Sequence, residues 1–287
     1  SNDLTLNGNL SGTGFLTKEG LATLTLNGTN TYSGGTNINA GTLALGAGAS
    51  LLASGTVNLA TGATFDLSAG AGTQVFGTLI GNGTVNLGAN TLTIGDASNG
   101  TFGGSIAGTG GLIKEGTGTE TLTGTNTFTG GTTINAGTLA IGAGGSLAAT
   151  GAVTLANAGT AFDISAGGNQ SIGSLAGVAG SSVALGGNTL TLGGVGNTTF
   201  DGTIGGTGAL IKDGAGVQTL GGANTFSGGV TLNAGGLVVG NNAALGTGAL
   251  NVAGNGSLDA NAAVTLANNV ALGAGATLDV LGNNDLT

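Results

Sequence analysis

"GTGGLIKEGTGTETLTGTNTFTGGTTINAGTLAIG", residues Gly108–Gly142, holds the pattern that decides the fold. In its closing phrase Thr138 takes one face while Leu139 and Ile141 take the other. Period two over four or five residues reads as a half-buried strand. The phrase recurs as "TLTL" (Thr23–Leu26), "TLAL" (Thr42–Leu45), "TVNL" (Thr56–Leu59), "TFDL" (Thr64–Leu67), "TVNL" (Thr84–Leu87) and "TLTI" (Thr91–Ile94). Leu, Val, Ile and Phe are expected to face inward, and Thr, Asn and Asp outward.

Between these phrases the chain is rich in Gly, Asn, Ser and Ala, which suits turns that need positive φ. Gly numbers 66 of 287. In strand interiors each would cost roughly 0.5–1 kcal/mol, so most belong at corners and bulges. Short strands, tight bends and the absence of helical periodicity point to an all-β fold, a parallel β-solenoid whose stacked coils bury one apolar column. Coils of roughly 20–27 residues predict roughly twelve coils and a rod about 55–60 Å long. Pro is absent, as expected where every strand is paired on both sides. An antiparallel sandwich would need hairpin turns at regular intervals, and the Asn-Gly pairs at Asn7, Asn27, Asn82, Asn99 and Asn255 are irregular.

A longer period overlies the coils. "LTKEG" (16–20), "LIKEG" (112–116) and "LIKDG" (210–214) carry Lys18, Lys114 and Lys212, the only basic residues, at spacings of 96 and 98. "NTYSGGTNINAGTLALG" from Asn30 returns from Asn126 and, loosened, from Asn224. These landmarks divide a single continuous solenoid, 1–287, into repeats at about 12–107, 108–205 and 206–287. Leu112 and Lys114 share parity, and an unpaired buried ammonium costs several kcal/mol. The expectation is therefore that the chain bends at or before Lys114 and turns it outward as a solvated corner, completed by Gly116.

The composition removes several functions. Hydrophobic residues make up 39%, enough for a core and too many for disorder. Three distant lysines and a net charge of −9 form no basic patch for nucleic acid. No run of about 18 apolar residues spans a membrane. Cys and His are absent, which removes disulfides, thiolate metal sites and His-based triads.

The stretch Gly108–Gly142 resembles the autotransporter-associated β-strand repeat of bacterial passenger domains: a Leu-x-Lys-x-Gly opening, a Leu-x-Leu strand, an Asn-x-(Tyr/Phe)-x-Gly-Gly bend and an Ala-Gly-Thr-Leu strand. The likeness covers 12–46 and 108–142, and 206–240 with departures: Gly236 replaces the Thr, and "VQTLGG" loosens the first strand. The resemblance implies a right-handed parallel β-helix outside the cell, exported through an outer-membrane barrel. It also implies a part in export and stalk structure rather than catalysis.

The remaining candidates for chemistry are few. Asp66, Asp163 and Asp259 recur at spacings of 97 and 96, which places each on the outer face, too far from the next for the paired carboxylates of a hydrolase. Glu115 and Glu120 lie in a corner and on the following strand. "GNGSLDA" (Gly254–Ala260) only approximates a calcium-roll loop. Tyr32, Phe128 and Phe226 in the bend, with Phe102 and Phe200, are expected to fill coil corners. No catalytic, cofactor or metal residue is assigned.

The expected function is a structural extracellular rod, a stalk or fibre segment, associating end to end. The alternative is an adhesive, carbohydrate-binding or carbohydrate-active module using the outer face. Asn2–Thr5 and Asn284–Thr287 are identical, so the chain is expected to be one period of a longer array or a subunit stacking on its own kind.

Overall fold

The computed structural model describes residues 2–51, 55–70 and 74–282. The second copy of the terminal "NDLT", at 284–287, lies outside them. The described residues contain strands and turns but no helix. They form two compact units, Ser1–Ala140 with Gly144–Leu147, and Ile141–Ala143 with Ala148–Thr287.

The first unit is a coil of three parallel walls. One wall stacks Leu4–Leu6, Thr23–Leu26, Thr42–Leu45, Thr64–Asp66, Thr84–Asn86 and Ser105–Ala107. Leu24, Leu43, Phe65, Val85 and Ile106 pair in succession along it and are buried. Beside them Thr23, Thr42, Thr64, Thr84 and Ser105 form a half-buried hydroxyl ladder on the outside. A second wall begins with Leu16–Lys18 and includes Thr36–Ile38, Val57–Leu59, Leu79–Gly81, Gly100–Phe102 and Thr119–Leu122. A third stacks Gln74–Phe76, Leu92–Ile94, Leu112–Lys114 and Thr132–Ile134. Phe65 and Phe76, from different walls, meet in the interior with ring centroids 5.8 Å apart and tilted by 48°, a geometry that adds to simple burial.

The second unit repeats the design. Leu190, Leu210, Val230 and Leu250 pair in succession along one wall and are buried. Gln218, Leu237 and Leu258 do the same along another. All strand pairs described in both units are parallel, and most strands alternate inward and outward residues as expected, with Thr93 buried and Val270 and Leu272 exposed as departures.

The coils are shorter than the middle of the expected range. Along the second wall Lys18 leads to Ile38, Leu59, Gly81, Phe102 and Leu122, in steps of 20, 21, 22, 21 and 20 residues. At that pitch 287 residues amount to about 14 turns rather than twelve. Corners of so few residues need glycine. At Gly116 φ is +66°, and a Cβ there would stand 2.1 Å from the carbonyl oxygen of Asp96 in the neighbouring coil. Backbone conformation and close approach both exclude a side chain at that corner.

Candidate functional site

The lysines do not point outward. Lys18, Lys114 and Lys212 are 6%, 1% and 4% exposed, and each ends a strand before the corner instead of lying beyond it. The corner itself reverses the expectation. A chain turning sharply through Glu-Gly aims its carbonyl oxygens inward, where strand pairing does not reach them, and buried acceptors need donors. The ammonium supplies three.

Lys114 Nζ donates to the carbonyls of Glu115 and Gly116 in its own corner and to Ala136 in the next coil. Lys18 Nζ does the same to Glu19 at 2.9 Å, Gly20 at 2.7 Å and Ala40 at 3.0 Å. Lys212 reaches Gly214 and Ala234. Burial pushes the ammonium pKa of Lys114 down, opposed by the charges of Glu120, Glu115 and Asp96; that of Lys212 is also lowered by burial, opposed by Asp213.

The acid after each lysine serves a different contact. Asn39 Nδ2 donates to Glu19 Oε1, Asn135 to Glu115 Oε1 at 2.6 Å, and Asn233 to Asp213 Oδ1 at 3.0 Å. Each acid and asparagine are 20 residues apart, so the pair ties one coil to the next on the outside while the ammonium ties them on the inside.

A second clamp was not anticipated from the sequence. Asn30, Asn126 and Asn224 are buried. Asn126 Oδ1 accepts the amide of Ile106 at 3.0 Å, and its Nδ2 donates to the carbonyls of Gly124 and Ser146 at 2.9 and 3.0 Å. Asn30 makes the matching set with Leu10, Gly28 and Ser50, and Asn224 joins Ile204 to Ala244. One side chain thereby pins three successive coils where the strand ladder lapses at the aromatic bend. The signal available was the spacing, which equals that of the lysines.

The aromatics lie where expected: Tyr32, Phe102, Phe128, Phe200 and Phe226 are all buried. The hydroxyl of Tyr32 bonds Thr36 Oγ1 at 2.6 Å; burial raises its pKa, with the Thr36 bond lowering it in part. Asp66, Asp163 and Asp259 are half-buried on the outside. Asp66 Oδ1 accepts from the amide of Ser68 and from Asn86, Asp163 Oδ1 from the amide of Ser165, and Asp259 Oδ1 from that of Ala260. Within the second unit Asp163 and Asp259 sit on different walls. Gly256–Ala260 is a strand with Leu258 and Ala260 buried, so "GNGSLDA" forms part of the wall. Among the described residues no three His, Cys, Asp or Glu gather in a metal-holding group.

Lys18 and Lys114 also occupy different walls of the first unit: the one strand pairs with Thr36–Ile38, the other with Leu92–Ile94 and Thr132–Ile134. Lys18 and Lys114 therefore form no common site. Each clamp is local, running from its lysine strand through the asparagine bend to the strand stacked upon it.

Residues 16–45, 112–141 and 210–239, which carry these clamps, match the Passenger-associated-transport-repeat family. Those three stretches are autotransporter passenger repeats. The chain is 57% identical over 106 residues, 37% of its length, to a protein of Brucella suis biovar 1 (strain 1330) named "Adhesin BmaC autotransporter". The aligned part is 3% of that protein's length. No solved structure matches the chain. The passenger repeats and the autotransporter relative together indicate export to the bacterial cell surface.

Proposed function

We propose that this passenger segment is a non-enzymatic structural rod, a stalk or fibre portion that spaces other parts of its protein from the cell. The observation that carries the reading is where the polar side chains are used. The repeated lysines and asparagines, buried and costly, serve backbone carbonyls and amides of adjacent coils. Such a set stiffens a stack and leaves little side-chain chemistry for a substrate.

End-to-end association extends the reading. Gly20 has open space where its Cβ would point, whereas the matching Gly116 and Gly214 are closed by the backbone of Asp96 and Gly194. A cleft lined by Asn2, Leu4, Lys18, Glu19, Gly20 and Leu24 lies beside it. Leu4, Leu272 and Val280 are 55%, 61% and 57% exposed on their strands. A further coil would cover such a seat and pair the free strand edge, whether it came from the same polypeptide or from another copy. Negative-stain microscopy and light scattering of the 287-residue segment over a range of concentrations test self-stacking. Growth into rods supports it, and monomers at every concentration refute it.

A second reading is adhesion through the outer faces, favoured by the name of the Brucella suis protein. Cell-surface glycans are the partner class to test. Reproducible binding on a glycan array would favour adhesion over a purely structural role.

A further inference from the structure

Glu120 lies inside the wall of the first unit, on Thr119–Leu122, and is 2% exposed. Its register partner is Gly100, where a Cβ would stand 2.4 Å from Glu120 Oε2 and 2.5 Å from the Thr78 methyl. The carboxyl therefore fills the space of a missing side chain, and Glu120 Oε1 has no hydrogen-bond partner.

The other two repeats show what this position ordinarily holds. The first has Leu24, which needs no partner. The third has Gln218, whose Nε2 donates to Leu175, Thr198 and Thr219 carbonyls, and whose Oε1 accepts from Thr198 Oγ1 at 3.0 Å. Thr198 is the register partner of Gln218. Where the third repeat has Thr beneath Gln, the second has Gly100 beneath Glu120, so the answering hydroxyl is gone.

The charged groups that act on Glu120 are Lys114, from the adjacent strand, and Asp96, from the preceding coil; Glu115 acts on Lys114. Lys114 is already engaged by three carbonyls. Burial raises the Glu120 pKa to about 8, with the Leu79 backbone hydrogen bond and Lys114 opposing and Asp96 assisting. A buried carboxylate short of donors is strongly disfavoured against its protonated form, so the neutral form is the one this wall accommodates.

We propose that Glu120 is a base-sensitive latch: protonated, it seals Thr119–Leu122 against Gly100–Phe102, and loss of its proton opens that strand locally. Opening exposes the backbone donors and acceptors of a strand within the sheet while the clamps on either side hold the rest of the coil. In a surface protein this gives one defined place where a rise in external pH loosens the stack.

The test is native-state hydrogen exchange of the whole segment at about pH 6 and about pH 9, corrected for intrinsic amide rates, with Thr42–Leu45 as internal reference. The protection of residues 119–122 is expected to fall about tenfold or more relative to the reference. Glu120→Gln is expected to abolish that fall. Glu120→Leu, which places the first repeat's residue at this position and needs no partner, serves if the glutamine variant folds poorly. A wild-type profile that matches the variants, or a Glu120 carboxyl titrating near 4.5 by carbon NMR, would overturn the latch.

Discussion

The Lys114 ammonium lies 3.3 Å from the carbonyl oxygen of Ala136, 22 residues further on and in the next coil. With the two carbonyls of its own corner, that contact makes the lysine a tie between coils. Removing the ammonium leaves three acceptors without their donor, each costing about 1–3 kcal/mol when buried. Lys114→Ala is expected to lower stability by about 3 kcal/mol or more, read as a shift in urea midpoint. Lys114→Met keeps the apolar stem and should lose nearly as much. A change within about 0.5 kcal/mol, the range of ordinary surface substitutions, would refute the tie.

Glycine at the lysine corner is tested separately from glycine at open corners. Gly116→Ala meets the Asp96 carbonyl and an unsuitable φ, whereas Gly62, at φ +83°, has nothing within 4 Å of its Cβ direction. Gly116→Ala should destabilise by several times more than Gly62→Asn, since Asn tolerates the left-handed region. Equal melting temperatures for the two variants would contradict the close approach.

Register is checked at one strand. Leu139 is fully buried and Thr138 half-buried on Thr138–Ile141. Leu139→Asp should prevent folding or cost about 3 kcal/mol or more, while Thr138→Asp should change stability by less than about 1 kcal/mol. Circular dichroism melts of both variants decide this, because a one-residue slip would exchange their behaviour.

The Glu120 carboxyl also predicts a sign for global stability. Its folded pKa of about 8 stands above the ordinary 4.5, so the folded state holds a proton that the unfolded state releases between those values. The contribution is fully present below about 4.5, falls as pH rises through that window, and is flat above about 8. Denaturation of wild type minus Glu120→Gln, measured across pH, should trace this curve. A difference that grows with pH in wild type's favour would reverse the assignment.

Much of this was legible in the sequence because strand alternation is a local code. Leu139 and Thr138 declare their faces from their immediate neighbours, and Phe128 or Phe226 can be placed by size and bend alone. Lys114 could not be placed this way. Its parity pointed inward, but the carbonyls that make burial tolerable belong partly to Ala136, a coil away, and are invisible without the stack. Glu120 was hidden for the same reason: its meaning depends on Gly100 beneath it, twenty residues earlier. Asn126 was legible in spacing but not in role, since its three partners come from three successive coils.

The different walls of Lys18 and Lys114 have a consequence for how such a chain can change length. From Lys18, four circuits reach Phe102 on the same wall, and Lys114 falls two walls later. A 96-residue duplication is therefore out of phase with the circuit, like the two scales of a vernier. Recombination that inserted or deleted one repeat would change the number of coils and also shift the landmarks that follow onto another wall. Within the first unit, a landmark that recurs with the repeat thus faces a different side of the coil from its predecessor.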